Sequence, residues 1–472
     1  MPVADLLPEL ILLIGAAAIV VAASFLPHRL HWMCAIATIA LLGISFGVVL
    51  SRWDNAAQLT FSGVWALDGG ARFAKLLIFG TAIAASALSP QWMATDRRHG
   101  EYYGLVLFAV LGAVMMAAAA DTMQLIVGVL LSSVTGYALA GYHRQWSPAQ
   151  EAAMKYFLIG ALANALLVVG VVLLFGLTGF TGYTELAAGL AANPDPWVII
   201  VAFVLVLIGL GFKLGAAPVH MWMPDVAQAA PAPVAALITV ITKVGAAIAL
   251  ARFAMLLPDT LGWRWAIALM AVVTMTWGNL AALWQTNLRR LLGWSAVSQS
   301  GYALMAIVVI GAVDQALAAL LVFLAGYAVA NVAAFAVVVY LRGRTELEDY
   351  RGLARQRPWS ASVIILALLS FLGLPPLIGF FGKLLLFSSV IEGGYAWLAV
   401  VAVINTVVSL FYYLRVIATL VFPGKQQNVA DLGWPAAATM IVTGLMIVGL
   451  GLWANGLIGL AQRGNLLSFI LG

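Results

Sequence analysis

Apolar runs of about 20 residues, long enough to cross a hydrocarbon core ~30 Å thick, recur from one end of this 472-residue chain to the other. No other feature limits the fold so severely. A backbone in lipid has to satisfy its own N–H and C=O groups, which leaves helices or closed barrels, and runs of this length are helices. The spans read near 6–26, 30–50, 72–90, 102–120, 122–141, 152–178, 197–217 and 232–256, then near 262–284, 293–313, 315–341, 359–388, 395–420 and 433–461. Composition agrees: 9% of residues are charged, against roughly 25% in a soluble domain. The expected fold is an all-α integral membrane protein with about fourteen transmembrane helices. The connections are too short for a separate domain, so residues 1–472 form one polytopic membrane domain.

The connections also carry an orientation. Those after odd-numbered spans hold Arg29, Arg97, Arg98, Arg144, Arg289, Arg290, Lys425 and the segment RGRTELEDYRGLARQR, whereas those after even-numbered spans hold little beyond Arg52, Arg72 and Arg264. The positive-inside rule puts the Arg-rich side in the cytoplasm and both termini outside. The opening MPVADLLPELILLIG lacks a basic leader and a small-residue cleavage site, so it reads as the first span. The net charge of +5 is explained by these loops, with no aromatic-interleaved basic patch for nucleic acid. One cysteine, Cys34, excludes an internal disulfide and a four-cysteine cluster, and the five histidines show no metal-binding spacing.

Charges inside the spans are the functional signal. Each costs about 2.5–3.5 kcal/mol on insertion scales and so needs a reason. Lys75, Lys155, Lys213, Lys243 and Lys383 lie within apolar runs, with Arg252 and Arg415 toward span ends. Lys75 and Lys155 are close enough to span ends to snorkel or pair structurally. Lys213, Lys243 and Lys383 are not. A buried lysine can release its proton where an arginine stays charged, which suits the three to a proton relay. Prolines follow Lys213 (Pro218, Pro224, Pro231, Pro233), and Pro375, Pro376, Gly379 and Gly382 precede Lys383. Spans seven and twelve are therefore expected to be broken. Two interrupted spans five apart are what an inverted repeat produces, with ion sites at the breaks. The repeats are expected near 102–256 and 262–420. His220 beside the first break is a candidate proton carrier. Asp225 is expected to cap the unwound backbone before span eight, ahead of a titrating role. Gln124, Asn164, Gln285, Gln299, Asn331 and Asn405 are candidates for water chains or for joining helices.

At these residues the chain resembles a known family. KLGAAPVHMWMPDVAQAAPAPVAALITVITKVG is similar to the signature of the seventh and eighth helices in the antiporter-like subunits of respiratory complex I, and within them to the N-type. The sister L and M types carry a glutamate-proline-threonine turn and eighth-helix histidines that are absent from this stretch. GEYYGLVLFAVLG, EAAMKYFLIGALANALL, TNLRRLLGWSAVSQSGYALMAI and FLGLPPLIGFFGKLLLF extend the resemblance, in order, over nearly the whole chain. It implies two inverted five-helix repeats and a proton path through Lys213, Lys243 and Lys383, with Glu101 as the helix-four glutamate near the surface. It also implies that this chain holds no cofactor or metal and no catalytic centre of its own, flavin, iron–sulfur clusters and quinone residing in partner subunits. K-, M- and L-type membrane subunits and lipids are the expected partners, in a bacterial or archaeal cytoplasmic membrane. A multi-subunit cation/proton antiporter or a membrane-bound hydrogenase is the alternative setting.

The chain departs from the family at one point. The helix-five glutamate that answers the helix-seven lysine aligns, on Gly128 and Tyr137, with Leu130, and no Asp or Glu occurs from 122 to 150. Either another group serves Lys213, with Glu101 nearest in sequence, or this half of the path is inactive and the chain is a non-pumping scaffold copy.

Overall fold

The computed structural model describes residues 3–96, 98–192, 195–423 and 432–466; Arg97 and Lys425 of the basic set fall outside them. Among the described residues, thirteen helices are long and apolar enough to cross a membrane. They are Val3–Phe25, His28–Ser51, Gly69–Met93, His99–Ala117, Thr122–Ala140, Ser147–Thr178, Pro196–Leu214, Ala232–Ala254, Trp263–Leu283, Leu288–Val308, Ala316–Tyr340, Ala396–Val421 and Trp434–Leu452. Two shorter helices, Pro358–Leu372 and Ile378–Glu392, follow one another between Tyr340 and Ala396 and make the remaining crossing. That gives the fourteen spans expected, numbered below in chain order with the split one as the twelfth.

Spans eight and ten are buried along their whole length, and span eleven nearly so. They form the core around which the others pack. Close approach there depends on glycine: a Cβ at Gly245 in span eight would come within 2.6 Å of the Ala113 carbonyl oxygen in span four.

Contacts between connections sort by parity. His28 Nε2 lies 2.8 Å from the Asp96 carbonyl, Trp92 Nε1 donates to His143 and Asn287 donates to Glu346, all at the Arg-rich end. At the other end Ala66 N bonds Ala118 O, Arg264 donates to the carbonyls of Val308 and Ile310, and Gln315 donates to Glu392. Parity sorting of this kind is what successive antiparallel crossings produce.

Three features of the connections escaped the hydropathy reading. A two-stranded hairpin, Gln58–Thr60 with Trp65–Leu67, lies between spans two and three, so the regular structure of the described residues is helical but for this ribbon. A helix, Tyr183–Ala192, fills the connection between spans six and seven. The fourteenth run ends at Leu452 and a separate helix, Ala454–Gln462, continues from it.

Spans seven and twelve are both interrupted. The first half of span seven ends at Leu214 on Gly215 (φ 72°), and a second helix, Trp222–Ala229, resumes after the gap. The first half of span twelve ends at Leu372 on Gly373 (φ 85°), and Ile378 resumes it. Both glycines hold a left-handed conformation that L side chains rarely adopt. A proline with a cis peptide bond stands three residues beyond each, at Pro218 and Pro376. Spans five and ten also match, as IVGVLLSSVTGYAL (126–139) and LLGWSAVSQSGYAL (291–304). Each begins on a side-chain cap, Asp121 and Asn287. Each lays a serine backbone against a glycine of the preceding span, Ser132 on Gly112 and Ser298 on Gly278, where a Cβ would come within 2.5 and 2.6 Å.

Candidate functional site: buried lysines around span ten

Lys213, Lys243 and Lys383 are buried. Among the described residues no carboxylate pairs with any of them. Each ammonium is instead held by neutral groups. Lys213 lies in the last turn of the first half of span seven, where the helix dipole puts partial negative charge. Its Nζ is 3.4 Å from Ser132 Oγ. Lys243 Nζ donates to the Ala296 carbonyl at 2.5 Å and lies 4.1 Å from the centre of the Tyr327 ring. Lys383 Nζ reaches back across the break to the Leu372 carbonyl, 3.3 Å away, and lies 4.5 Å from the Tyr302 ring. Two of the three thus sit at the C-terminal end of a half-helix, Lys213 in its last turn and Lys383 reaching its last carbonyl from across the gap.

Span ten connects them. Ser300 Oγ lies 2.5 Å from the Leu214 carbonyl at the span-seven break and 3.1 Å from the Ala296 carbonyl that holds Lys243. Tyr302, whose ring faces Lys383, stands two residues further on. A continuous polar line therefore runs from the first break to Lys243, and the same helix meets the third lysine. The signal for this was available: span ten is the most polar of the thirteen long spans.

The break in span seven is tied down around Lys213. Trp222 Nε1 donates to the Phe212 carbonyl at 3.0 Å, and Ala217 N donates to Thr274 at 3.0 Å. Arg289 donates to the carbonyls of Ala227 and Ala230, closing the far end of the Trp222–Ala229 helix. His220 is buried in the break with its ring edge toward Trp277 and Trp294. Neither of its nitrogens makes a hydrogen bond among the described residues.

Other expected residues land elsewhere. Asp225 is no cap. It lies inside the Trp222–Ala229 helix, and its carboxylate takes two cations, Lys155 at 3.1 Å and Arg290 at 2.6 Å. A carboxylate flanked by two cations is already committed, which leaves none for the backbone. Lys155, 47% exposed, also pairs with Glu151 at 2.7 Å and belongs to the surface. Glu101 is half-buried in the first turn of span four and makes no ion pair among the described residues. Leu130 is 41% exposed. It stands about 200° around span five from Ser132 at 3.6 residues per turn, so Ser132 is the residue that meets Lys213. Of the polar candidates, Asn164 joins spans six and five through Ser133, Asn331 joins spans eleven and eight through Thr239, and Asn405 joins spans thirteen and nine through Thr276.

Two buried cations are paired, and both partners went unread in the sequence. Lys75 meets Glu9 at 2.5 Å, the two side chains 3% and 5% exposed. Arg252 meets Asp68 at 2.5 Å with both side chains fully buried, and also donates to the Ala117 carbonyl. Asp68 additionally caps span three through Ala71 N.

Interrupted helices with lysines at the breaks define a class of membrane proteins built to pass ions through discontinuous spans. Residues 119–409 match the family described as NADH:quinone oxidoreductase/Mrp antiporter, TM. An NADH-quinone oxidoreductase subunit N from Mycobacterium sp. (strain JLS) is 42% identical over 434 residues, 91% of this chain and 92% of the relative. An F(420)H(2) dehydrogenase subunit N from Methanosarcina mazei is 34% identical, with 97% of each chain covered. Among solved structures, a chain of respiratory complex I from Thermus thermophilus superposes with a TM-score of 0.84 at 31% identity, over 97% of this chain and all of that one. The protein belongs to this family of complex I and antiporter membrane subunits, and both relatives named here are N subunits.

Proposed function

We propose that this chain is the N-type proton-translocating membrane subunit of a quinone reductase of the complex I kind, driven by NADH or a ferredoxin-like donor. The observation that carries the reading is the set of three buried lysines, paired with no carboxylate among the described residues and placed around span ten, which meets the span-seven break, Lys243 and Lys383. A lysine in such a site is costly to charge and is supported, when charged, by a hydroxyl, carbonyls and ring faces. Its protonation state then responds to small changes nearby. Lys213, Lys243 and Lys383 carry the proton, His220 serves the span-seven break, and Glu101 is the entry group at the Arg-rich end. Lys155 and Asp225 act as accessory groups holding the Trp222–Ala229 helix in place.

The repeats are assigned to residues 102–256 and 262–420; the paired breaks and the shared GYAL segments support this. The Arg-rich end faces the cytoplasm and both termini lie outside, in a bacterial or archaeal cytoplasmic membrane. Flavin, iron–sulfur clusters and quinone are assigned to partner subunits, since one cysteine supplies too few thiolates for a cluster. The neighbours are K-, M- and L-type membrane subunits. The relative in an F(420)H(2) dehydrogenase keeps other electron donors, and related hydrogenase or antiporter assemblies, as the second reading. Subunits that co-purify with the tagged chain separate the two.

The test is proton pumping per electron by the intact complex in membrane vesicles. Lys213→Ala and Lys383→Ala are each expected to assemble and to lower that ratio. An unchanged ratio in both removes the relay assignment.

A further inference from the structure

A cavity of about 770 Å³ opens between spans two, three, eleven and fourteen, walled almost wholly by apolar side chains. Among its lining residues are Gly43, Phe46 and Trp53 of the second span and its end, Gly80 of the third, Ala328 of the eleventh and Met446 of the fourteenth. It lies apart from the lysine row, and nothing in the relay requires it.

Its dimensions select an occupant. The stretch from residue 43 to 53 rises about 15 Å at 1.5 Å per residue, roughly half of a ~30 Å hydrocarbon core, or one leaflet. A transmembrane helix is a cylinder about 10 Å across and 30 Å long, several times the cavity in volume. An extended hydrocarbon chain is the width and length that remain. The lining is held back from filling the space: a Cβ at Gly43 or at Gly80 would meet nothing within 4 Å.

The mouth supplies a charge. Leu457 and Leu460 line it, and Arg463 follows one turn later. Arg463 is 71% exposed and 4.0 Å from the still more open Asp54, a loose pairing that leaves its guanidinium available. Arginine binds phosphate oxygens two at a time.

We infer that this groove holds a structural phospholipid, one acyl chain lying between the first three spans and spans eleven and fourteen, its phosphate at Arg463. The lipid completes the packing that small side chains leave open.

The test uses the intact complex purified in mild detergent and washed extensively, with bound phospholipid counted by native mass spectrometry and phosphate assay. The double variant Gly43→Leu/Gly80→Leu puts side chains into the groove from two positions where an added Cβ meets nothing within 4 Å. It is expected to lose one phospholipid per complex. Gly449→Leu, on span fourteen but outside the groove, also has free space around its Cβ and is expected to keep the parent's count. Arg463→Ala is expected to lose the lipid earlier in the wash. Equal counts in the parent and the double variant overturn the proposal. So does a parent that retains only detergent, or a Gly80→Cys variant that cross-links to a helix of another subunit.

Discussion

The molecule buries cations in two ways, and the contrast separates structure from mechanism. Near the hairpin end, Arg252 and Lys75 each meet a carboxylate at 2.5 Å, with both partners buried. Along span ten, Lys213, Lys243 and Lys383 meet a hydroxyl, carbonyls and aromatic faces. A buried pair is fixed, because removing either partner strands the other charge. A buried lysine among neutral groups has two accessible states. The first arrangement ties the first three spans to the core; the second suits a site that loads and unloads.

The sharpest way to break the contrast is at the paired end. Asp68→Ala strands Arg252 and is expected to cost about 3–5 kcal/mol, seen as loss of assembled subunit from membranes. Adding Arg252→Met to it is expected to recover much of the yield, since an apolar replacement of a buried pair is tolerated. Around span ten the expectation reverses. Lys243→Ala should assemble with a melting temperature near the parent's, and its pumping per electron should fall to less than half. Lys243→Arg keeps a charge that does not leave and should pump no better than Lys243→Ala. Recovery in the arginine variant would turn Lys243 into a structural cation.

A carboxylate introduced beside Lys213 should convert one kind of site into the other. Ser132→Asp is expected to lower pumping severalfold and move its pH dependence, because the new charge holds the Lys213 proton. Leu130→Glu, starting from the outer face, is expected to change pumping by a smaller factor; the reverse ranking would mean that the outer face of span five lies on the path.

At the Arg-rich end, burial holds the His143 imidazole below its ordinary 6.5, against the pull of Asp96. The unfolded chain then takes the proton first. Stability is lost as pH falls below about 6.5, and the loss stops growing once the folded histidine also protonates. Thermal unfolding of the complex between pH 7.5 and 5.5 should show a shallower slope in His143→Gln. The smallest effect belongs to Lys155→Ala, whose exposed bridges contribute about 0–1 kcal/mol; a large loss of pumping there would promote it from surface anchor to path.

The sequence made the spans, both breaks and the three lysines legible for one reason: each is expensive in lipid, so each leaves a mark in composition. Partners leave no such mark. Asp68 and Glu9 stand 184 and 66 positions from the cations they meet, flank apolar runs, and look like ordinary end charges. Asp225 read as a cap because it follows a proline-rich stretch; its two cations come from spans six and ten and meet only in the fold. The helix Tyr183–Ala192 lacks the length that hydropathy detects. Leu130 marks the family's missing carboxylate in the alignment, yet which side chain of span five meets Lys213 depends on helix rotation, and that answer is Ser132.

Ser300 has one hydroxyl hydrogen and two carbonyls to give it to. Reorienting such a hydrogen is, like methyl rotation, an event of roughly picoseconds to nanoseconds, whereas enzymes turn over in about 1–1,000 ms. The link between the span-seven break and Lys243 can therefore form and dissolve about a million times or more within one catalytic cycle. It sets no clock. On the proposed relay, timing then rests with the charging of the lysines, because a hydroxyl set between two carbonyl acceptors orders the polar line and receives no proton from either.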